Sequence, residues 1–85
     1  MRVWKFTVEP DRSVIRMPQG AQVISVAAQG DHVCLWALVD PDAPVEDREF
    51  IPVMTGEAID EGARYVGSAH GVSGWIVVHV FEDPR

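Results

Sequence analysis

The fold is decided by the stretch HVCLWALVDP, which occupies residues 32–41. Seven consecutive residues within it, 33–39, are apolar or aromatic, so a strand formed by them has apolar side chains on both faces. The run is much shorter than the roughly 20 apolar residues of a membrane-spanning helix. It ends before Pro41, which lacks a backbone donor and cannot continue a ladder. The stretch therefore predicts the central strand of a β-sheet.

Apolar and polar residues alternate on both sides of this run, with the two-residue period of half-buried strands. Proline, glycine and aspartate mark turns between the alternating segments. Segment 56–62 has enough apolar residues for at most one helical turn. The predicted strands are 3–8, 14–17, 22–29, 33–39, 48–55, 64–68 and 75–81. The sequence thus predicts an all-β domain, a small antiparallel sandwich or a partly open barrel of six to seven short strands.

The turns also predict which strands pair. Segments 3–8 and 14–17 are expected to form a hairpin, and the turn at Gly30 is expected to form a tight hairpin into the central strand. The last strand is apolar on both faces, so we place it beside the central strand. Pro52 cannot donate to a ladder, and segment 48–55 is therefore placed at a sheet edge or bulge.

Length and charge limit the class of protein. A chain of 85 residues that is 47% hydrophobic predicts one globular domain over residues 1–85. Seven basic residues stand against thirteen acidic ones, and the net charge of −6 repels phosphate backbones. We therefore expect no nucleic acid among the partners.

Compartment is predicted from cysteine and from the first residues. Cys34 is the only cysteine, so an intramolecular disulfide is excluded and a reducing cytosol is expected. Charges near the amino end interrupt the apolar run that a signal peptide needs. The chain is expected to be cytoplasmic, with no membrane partner.

Four blocks of sequence carry a resemblance. They are Trp4-Lys5-Phe6, Met17-Pro18-Gln19-Gly20-Ala21, the stretch CLWALVDP at 34–41 and His79-Val80-Phe81-Glu82. In this order they resemble a family of small uncharacterised proteins of tailed bacteriophages and prophages, over nearly the whole chain. The resemblance implies a phage setting and the host cytoplasm, and it implies no particular activity.

Metal sites are not predicted. The three histidines, His32, His70 and His79, lack the paired spacing of a zinc motif, and Cys34 has no second pair to complete four ligands. The acids that follow the central strand do not continue into a calcium loop, because Pro44 stands where further oxygen ligands are needed. We expect no metal and no cofactor, and we expect His79 to be a neutral histidine hydrogen-bonded to a neighbour.

Catalytic residues are not predicted either. Ser68, His70, Ser73 and Asp31 supply the residue types of a nucleophilic site, but no Gly-x-Ser-x-Gly elbow is present. The glycines of segment 67–74 lack the lysine and the following helix of a P-loop. We expect no enzyme activity, and a small hydrolase is the least favoured alternative.

The acids after the central strand are the first candidate for a contact surface. The longest loop is predicted at 40–47, and five acids with one base, Arg48, lie within residues 40–49. The five candidate acids are Asp40, Asp42, Glu46, Asp47 and Glu49. Because loops often carry binding and this one is acidic, a basic host protein is the expected partner. The alternative is that these acids only keep the protein soluble.

Self-association is expected as well. The aromatic residues are assigned mainly to the core, but Trp36 shares a strand face with Cys34 and Leu38. If that face is uncovered in a monomer, it forms an apolar patch of the kind that marks interfaces. A homodimer or larger oligomer is therefore predicted.

The function expected from these features is that of a non-enzymatic phage accessory protein. It would act by protein binding, for instance against a host defence or regulatory factor. The alternative is a module that binds a small molecule, such as a nucleotide signal, in a barrel mouth or dimer cleft near His70 and Trp75.

Overall fold

Two antiparallel sheets form the molecule in the computed structural model, which describes residues 1–72 and 76–84. Within these residues there are seven strands and no helix, and so no helix that could cross a membrane. The strands are β1 (Arg2–Val8), β2 (Ser13–Pro18), β3 (Gln22–Gln29), β4 (His32–Val39), β5 (Val45–Met54), β6 (Arg64–Val72) and β7 (Ile76–Asp83). One sheet has the order β1-β4-β3 and the other β2-β5-β7-β6. The predicted all-β antiparallel sandwich is confirmed, and the described sheets do not close into a barrel.

The core lies between the two sheets. Alternate residues of β4 point inward, and Leu35, Ala37 and Val39 are fully buried there. Phe50 and Val80 of the four-stranded sheet are fully buried in the same cluster. The central-strand prediction for residues 33–39 is therefore confirmed, since β4 lies between β1 and β3.

The outer side of β4 is covered less deeply than the side that faces the core. Cys34 is buried, but Trp36 and Leu38 are only half-buried on the outer face of the three-stranded sheet. Trp4 and Tyr65 are also exposed, so the assignment of the aromatics to the core is only partly correct. An apolar run in the sequence indicates that its side chains can be buried. The elements that pack against the strand decide how deeply each side chain is buried.

Two of the predicted pairings are wrong and one is confirmed. The tight hairpin between β3 and β4 is confirmed, and Gly30 adopts a φ of 61° in its turn. The predicted hairpin between β1 and β2 does not form, because β1 pairs with β4 and β2 pairs with β5. The residues between β1 and β2 instead carry the chain from one sheet to the other. The last strand, β7, lies between β5 and β6 and not beside the central strand.

The placement of Pro52 at a sheet edge is correct only locally. β5 is an interior strand, flanked by β2 and β7, so the edge assignment of the strand as a whole is wrong. Pairing with β2 ends at Phe50, however, and Pro52 lies two residues beyond that point. At this position β5 pairs only with β7, through Val80. No strand lies on the other side of Pro52, so its missing backbone donor costs no ladder hydrogen bond there.

The longest connection is not the predicted loop 40–47. β5 already begins at Val45, and the longest described connection is segment 55–63 between β5 and β6. β5 and β6 are both antiparallel to β7, so they run parallel to each other and this segment has to cross β7 along the sheet. We call it the crossing segment.

Ion pairs show which face the crossing segment covers. Nε of Arg12 lies 3.1 Å from Oε2 of Glu49, on the outer face of β5, and Nη1 of Arg12 lies 3.5 Å from Oδ2 of Asp60 in the crossing segment. On that outer face Ile51 is only 9% exposed and Val53 only 7% exposed. The crossing segment therefore covers the outer face of the four-stranded sheet.

Candidate functional site

An open cavity of about 390 Å³ lies between the two sheets at the end where β1 and β5 terminate. This volume is within the range of about 300 to 1,000 Å³ that is typical of ligand pockets. Its walls are apolar side chains from both sheets: Val8, Val33, Pro52, Met54, Val72, Ile76 and Val78. They surround the cavity because several strands begin or end here, and their last inward-facing residues line the space between the sheets.

The entrance of the cavity is acidic. Four carboxylates line it: Glu9, Asp11, Asp31 and Glu57. We call the cavity with these four acids the acidic mouth. His32 also lines it, whereas no lysine or arginine does among the described residues. A cleft whose charges all have one sign concentrates the field, so the acidic mouth attracts cations.

Three separate connections bring the four acids together. Glu9 and Asp11 precede β2, and Ser13 Oγ accepts a hydrogen bond from the backbone N–H of Glu9 at 2.7 Å, which holds this turn. Asp31 follows Gly30 in the tight hairpin. Glu57 lies in the crossing segment, and its Oε1 accepts a hydrogen bond from the backbone N–H of Met54 at 2.6 Å.

Three of these carboxylates are available to a partner. The side chains of Glu9, Asp11 and Asp31 are exposed and form no ion pair with the rest of the described chain. Their mutual repulsion is relieved by any cation that enters between them. The acidic mouth thus combines an apolar interior with unneutralised negative charge at its edge.

An ion-pair network closes the other end of the sandwich. Glu82 accepts two hydrogen bonds from Arg48, at 2.6 Å from Nε and 2.9 Å from Nη2, and Arg48 Nη1 donates to the carbonyl of Ala21 at 2.6 Å. Nη2 of Arg64 lies 3.2 Å from Oε1 of the same carboxylate. The hydrogen bonds from Arg48 lower the pKa of Glu82 despite its burial, and those same bonds raise the pKa of Arg48. Each of the three charged side chains therefore has a partner within the network.

The five acids predicted as a contact surface do not lie on one loop. Asp40 and Asp42 occupy the turn before β5, where Asp40 Oδ1 accepts the N–H of Asp42 at 3.0 Å. Glu46, Asp47 and Glu49 lie on β5 itself, so the predicted loop boundary was wrong.

Two of the acids on β5 already have basic partners. Asp47 Oδ1 lies 3.6 Å from Nε of Arg16, and Glu49 is paired with Arg12. Glu46 lies on the same side of β5 as Arg48, whose pKa it raises through its charge. A binding role for the five acids stays a prediction.

Of the two residues predicted to lie at a small-molecule site, His70 and Trp75, the structure describes only His70. His70 is exposed on β6 and does not line the cavity, although Val72, two residues later, does. Trp75 lies outside the described residues. Sequence reasoning missed the acids of the mouth because each of them resembles an ordinary turn residue in its own segment. The only signal available was that acids recur in three connections.

His79 belongs to a chain of hydrogen bonds on the outer face of the four-stranded sheet. Its Nδ1 lies 2.9 Å from Ser68 Oγ, and its Nε2 lies 3.0 Å from Thr55 Oγ1. Ser68 Oγ is in turn 2.7 Å from the hydroxyl of Tyr65. The prediction of a histidine bonded to its neighbours is confirmed. These bonds attach the start of the crossing segment to β7 and β6.

Ser68 lies beside His79, as the nucleophile lies beside its base in a serine hydrolase. A serine hydrolase also requires a group that orients the base, commonly a carboxylate. Here the second nitrogen of His79 contacts a hydroxyl, and Asp31 lies at the acidic mouth and not beside Ser68. Among residues 1–72 and 76–84, no cluster of three or more His, Cys, Asp or Glu side chains could hold a metal ion. The acidic mouth is accordingly the stronger candidate site.

The fold and the cavity define this chain as a small antiparallel β-sandwich with an acid-lined opening at one end. The chain belongs to a family described as Domain of unknown function (DUF7352), whose model matches residues 1–85. Neither the comparison with curated proteins nor that with solved structures finds a match.

Proposed function

We propose that the protein is a non-enzymatic accessory protein of a bacteriophage or prophage that acts in the host cytoplasm by binding a basic partner protein. The four sequence blocks described above support the phage setting. The acidic mouth supports the mode of action, because it is the place where an apolar cavity and unpaired carboxylates coincide. We further propose that the contact surface is the acidic mouth.

The mouth suits one kind of protein segment. An apolar side chain inserted between the sheets would pack against Val33, Val78 and their neighbours. Contacts of this kind, in which a side chain fills a desolvated pocket, dominate binding energy. Lysine or arginine residues next to that side chain would reach the carboxylates at the entrance. The net charge of −6 would accelerate the approach of such a partner.

The acids of segment 40–49 are less suited to this role, because none of them lines the apolar cavity. Asp47 and Glu49 are already paired with Arg16 and Arg12, so a basic partner would have to displace these arginines. The carboxylates of Glu9, Asp11 and Asp31 need no such exchange. The mouth is therefore the better candidate for the contact surface than residues 40–49.

The choice of partner follows from its charge. Proteins with basic surfaces include those that hold nucleic acid, and many regulatory and defence factors act on nucleic acid. A host factor of this kind is our candidate. The small-molecule alternative also has support from the cavity volume, but four carboxylates repel phosphates, so an organic cation suits the mouth better than a nucleotide signal.

Matched variants test this proposal. The mouth variant carries Glu9→Gln, Asp11→Asn and Asp31→Asn together. The control variant carries Asp40→Asn, Asp42→Asn and Glu61→Gln, which remove the same charge from exposed acids elsewhere. Both are compared with the wild type by capture of host proteins, identification of the captured protein and titration with that purified protein.

We expect the mouth variant to bind the identified partner about tenfold more weakly, and the control variant to bind as the wild type does. Wild-type binding should weaken between low and moderate salt, and less so for the mouth variant. NMR shifts on partner addition should concentrate at Val8, Val33 and Val72. Equal binding by all three proteins, or loss only in the control variant, would remove the mouth from the mechanism.

A further inference from the structure

The outer face of the three-stranded sheet has no covering element among the described residues. The pairing register places three cross-strand rows on this face: Val3, Leu38 and Gln22; Lys5, Trp36 and Ser25; Thr7, Cys34 and Ala27. The crossing segment covers the corresponding face of the other sheet. The two outer faces of the sandwich are therefore unequal. We call this one the open face.

The open face exposes apolar side chains. Val3 is 55% exposed, and Ile24, at the bulge in β3, is 52% exposed. Trp36 and Leu38 are half-buried between them. A contiguous apolar patch of this kind on a small soluble domain commonly marks an interface.

The charge distribution identifies what can dock on this face. None of the thirteen acids of the chain lies in β1, β3 or β4, whereas two of the seven bases, Arg2 and Lys5, do. Lys5 lies on the open face, whereas Arg2 is opposite the inward-facing Val39, so the three rows of the face carry one positive charge and no negative one. Two copies of a protein with net charge −6 repel each other, and the repulsion is smallest when their acid-free faces meet.

We propose that the open face is the interface of a symmetric homodimer. An isologous interface presents the same patch on both copies, so an apolar, acid-free patch is complementary to itself. This inference uses a different surface from the acidic mouth and does not depend on the proposed function.

The face is smaller than the interface of a stable dimer. Three strands about 4.8 Å apart, with seven or eight residues each rising about 3.3 Å, give roughly 350 Å². The broad side of the molecule measures 38 by 29 Å between outermost Cα atoms, so surrounding connections can extend the contact. Stable interfaces bury about 800 Å² per partner, so we expect a dimer that dissociates on dilution.

Single added carboxylates provide the test. Val3→Glu introduces an acid into the open face, and Val14→Glu introduces one at a similarly exposed strand valine, 64% exposed, on the outer side of β2. Gln22→Glu adds a charge to the open face with almost no change of shape. Masses are measured by sedimentation equilibrium over a wide concentration range, after circular dichroism has confirmed the fold of each variant.

We expect Val3→Glu and Gln22→Glu each to weaken dimerisation about tenfold, and Val14→Glu to leave it unchanged. Higher salt should strengthen the dimer because it screens repulsion between two negative copies. Partner binding at the acidic mouth has the opposite salt dependence, which separates the two proposals. A wild-type monomer at hundreds of micromolar in high salt, or equal weakening by Val14→Glu and Val3→Glu, would overturn the assignment.

Discussion

A Cβ atom on Gly67 of β6 would lie 2.7 Å from Cγ2 of Val26 on β3. This is the point at which the edges of the two sheets approach each other, and β6 has an irregularity in its pairing just before Gly67. Val26 points toward the core and is packed against it, so it has little room to retreat. The side of the sandwich formed by β3 and β6 therefore depends on a residue without a side chain.

Gly67→Ala is expected to lower the free energy of unfolding by about 2 kcal/mol, as is usual when a packed interior is overfilled. Val26→Ala removes the obstructing methyl groups. The double variant should therefore be less destabilised than the sum of the two single variants. Urea denaturation of all four proteins measures this coupling. Strict additivity would show that the two residues do not compete for the same space.

Removing the carboxylate of Glu82 should destabilise the closed end. Glu82→Gln leaves Arg48, whose side chain is only 15% exposed, without its charged partner, and breaking a largely buried pair in this way costs about 3 kcal/mol. Glu61→Gln changes an exposed acid and serves as the control. Thermal and urea unfolding at neutral pH provide the comparison. A melting temperature for Glu82→Gln equal to that of the control would contradict the network.

The same residue predicts a pH dependence. Hydrogen bonds from Arg48 lower the pKa of Glu82 in the folded protein below its ordinary value of 4.5. The folded state thus binds this proton more weakly than the unfolded chain. The stabilisation is complete above the ordinary pKa and is lost as pH falls through the lower, folded value. The stability difference between wild type and Glu82→Gln should therefore shrink below about pH 4.5, and a difference independent of pH would refute this account.

The hydrogen bonds of His79 should matter more than its ring volume. His79→Phe keeps an aromatic ring but leaves the hydroxyls of Ser68 and Thr55 without this partner, and we expect a loss of about 2 kcal/mol. His70→Phe, at an exposed position on β6, is the matched control and should change stability by about 0.5 kcal/mol or less. Equal effects of the two substitutions on urea unfolding would show that the hydrogen-bond chain contributes nothing.

Neighbouring residues on β4 should differ in their contributions to stability. Leu35 is fully buried in the core, and Leu35→Ala should cost about 3 kcal/mol. Trp36 is half-buried on the open face, and Trp36→Ala should cost about 1.5 kcal/mol in the monomer. Unfolding is measured at low protein concentration so that dimerisation does not contribute. A larger loss for Trp36→Ala would mean that the face is covered in the monomer.

The candidate site was less accessible to sequence reasoning than the strands were. Asp40 and Asp42 were predicted to share a contact surface because they are close in sequence, yet the structure brings together Glu9, Asp31 and Glu57, which are far apart in sequence. Proximity between turns is decided by which strands pair, and no local pattern contains that information.

Local physical chemistry determined the strands, because side chains alternate across any extended backbone and the apolar ones must leave water. The run 33–39 and the turn at Gly30 were therefore predictable from the sequence alone. Tertiary structure alone decided the partners of β1, β2 and β7, since an apolar face can pack against any other apolar face. That choice placed β7 beneath the crossing segment, left the outer face of β4 uncovered, and gathered four separate acids around one cavity.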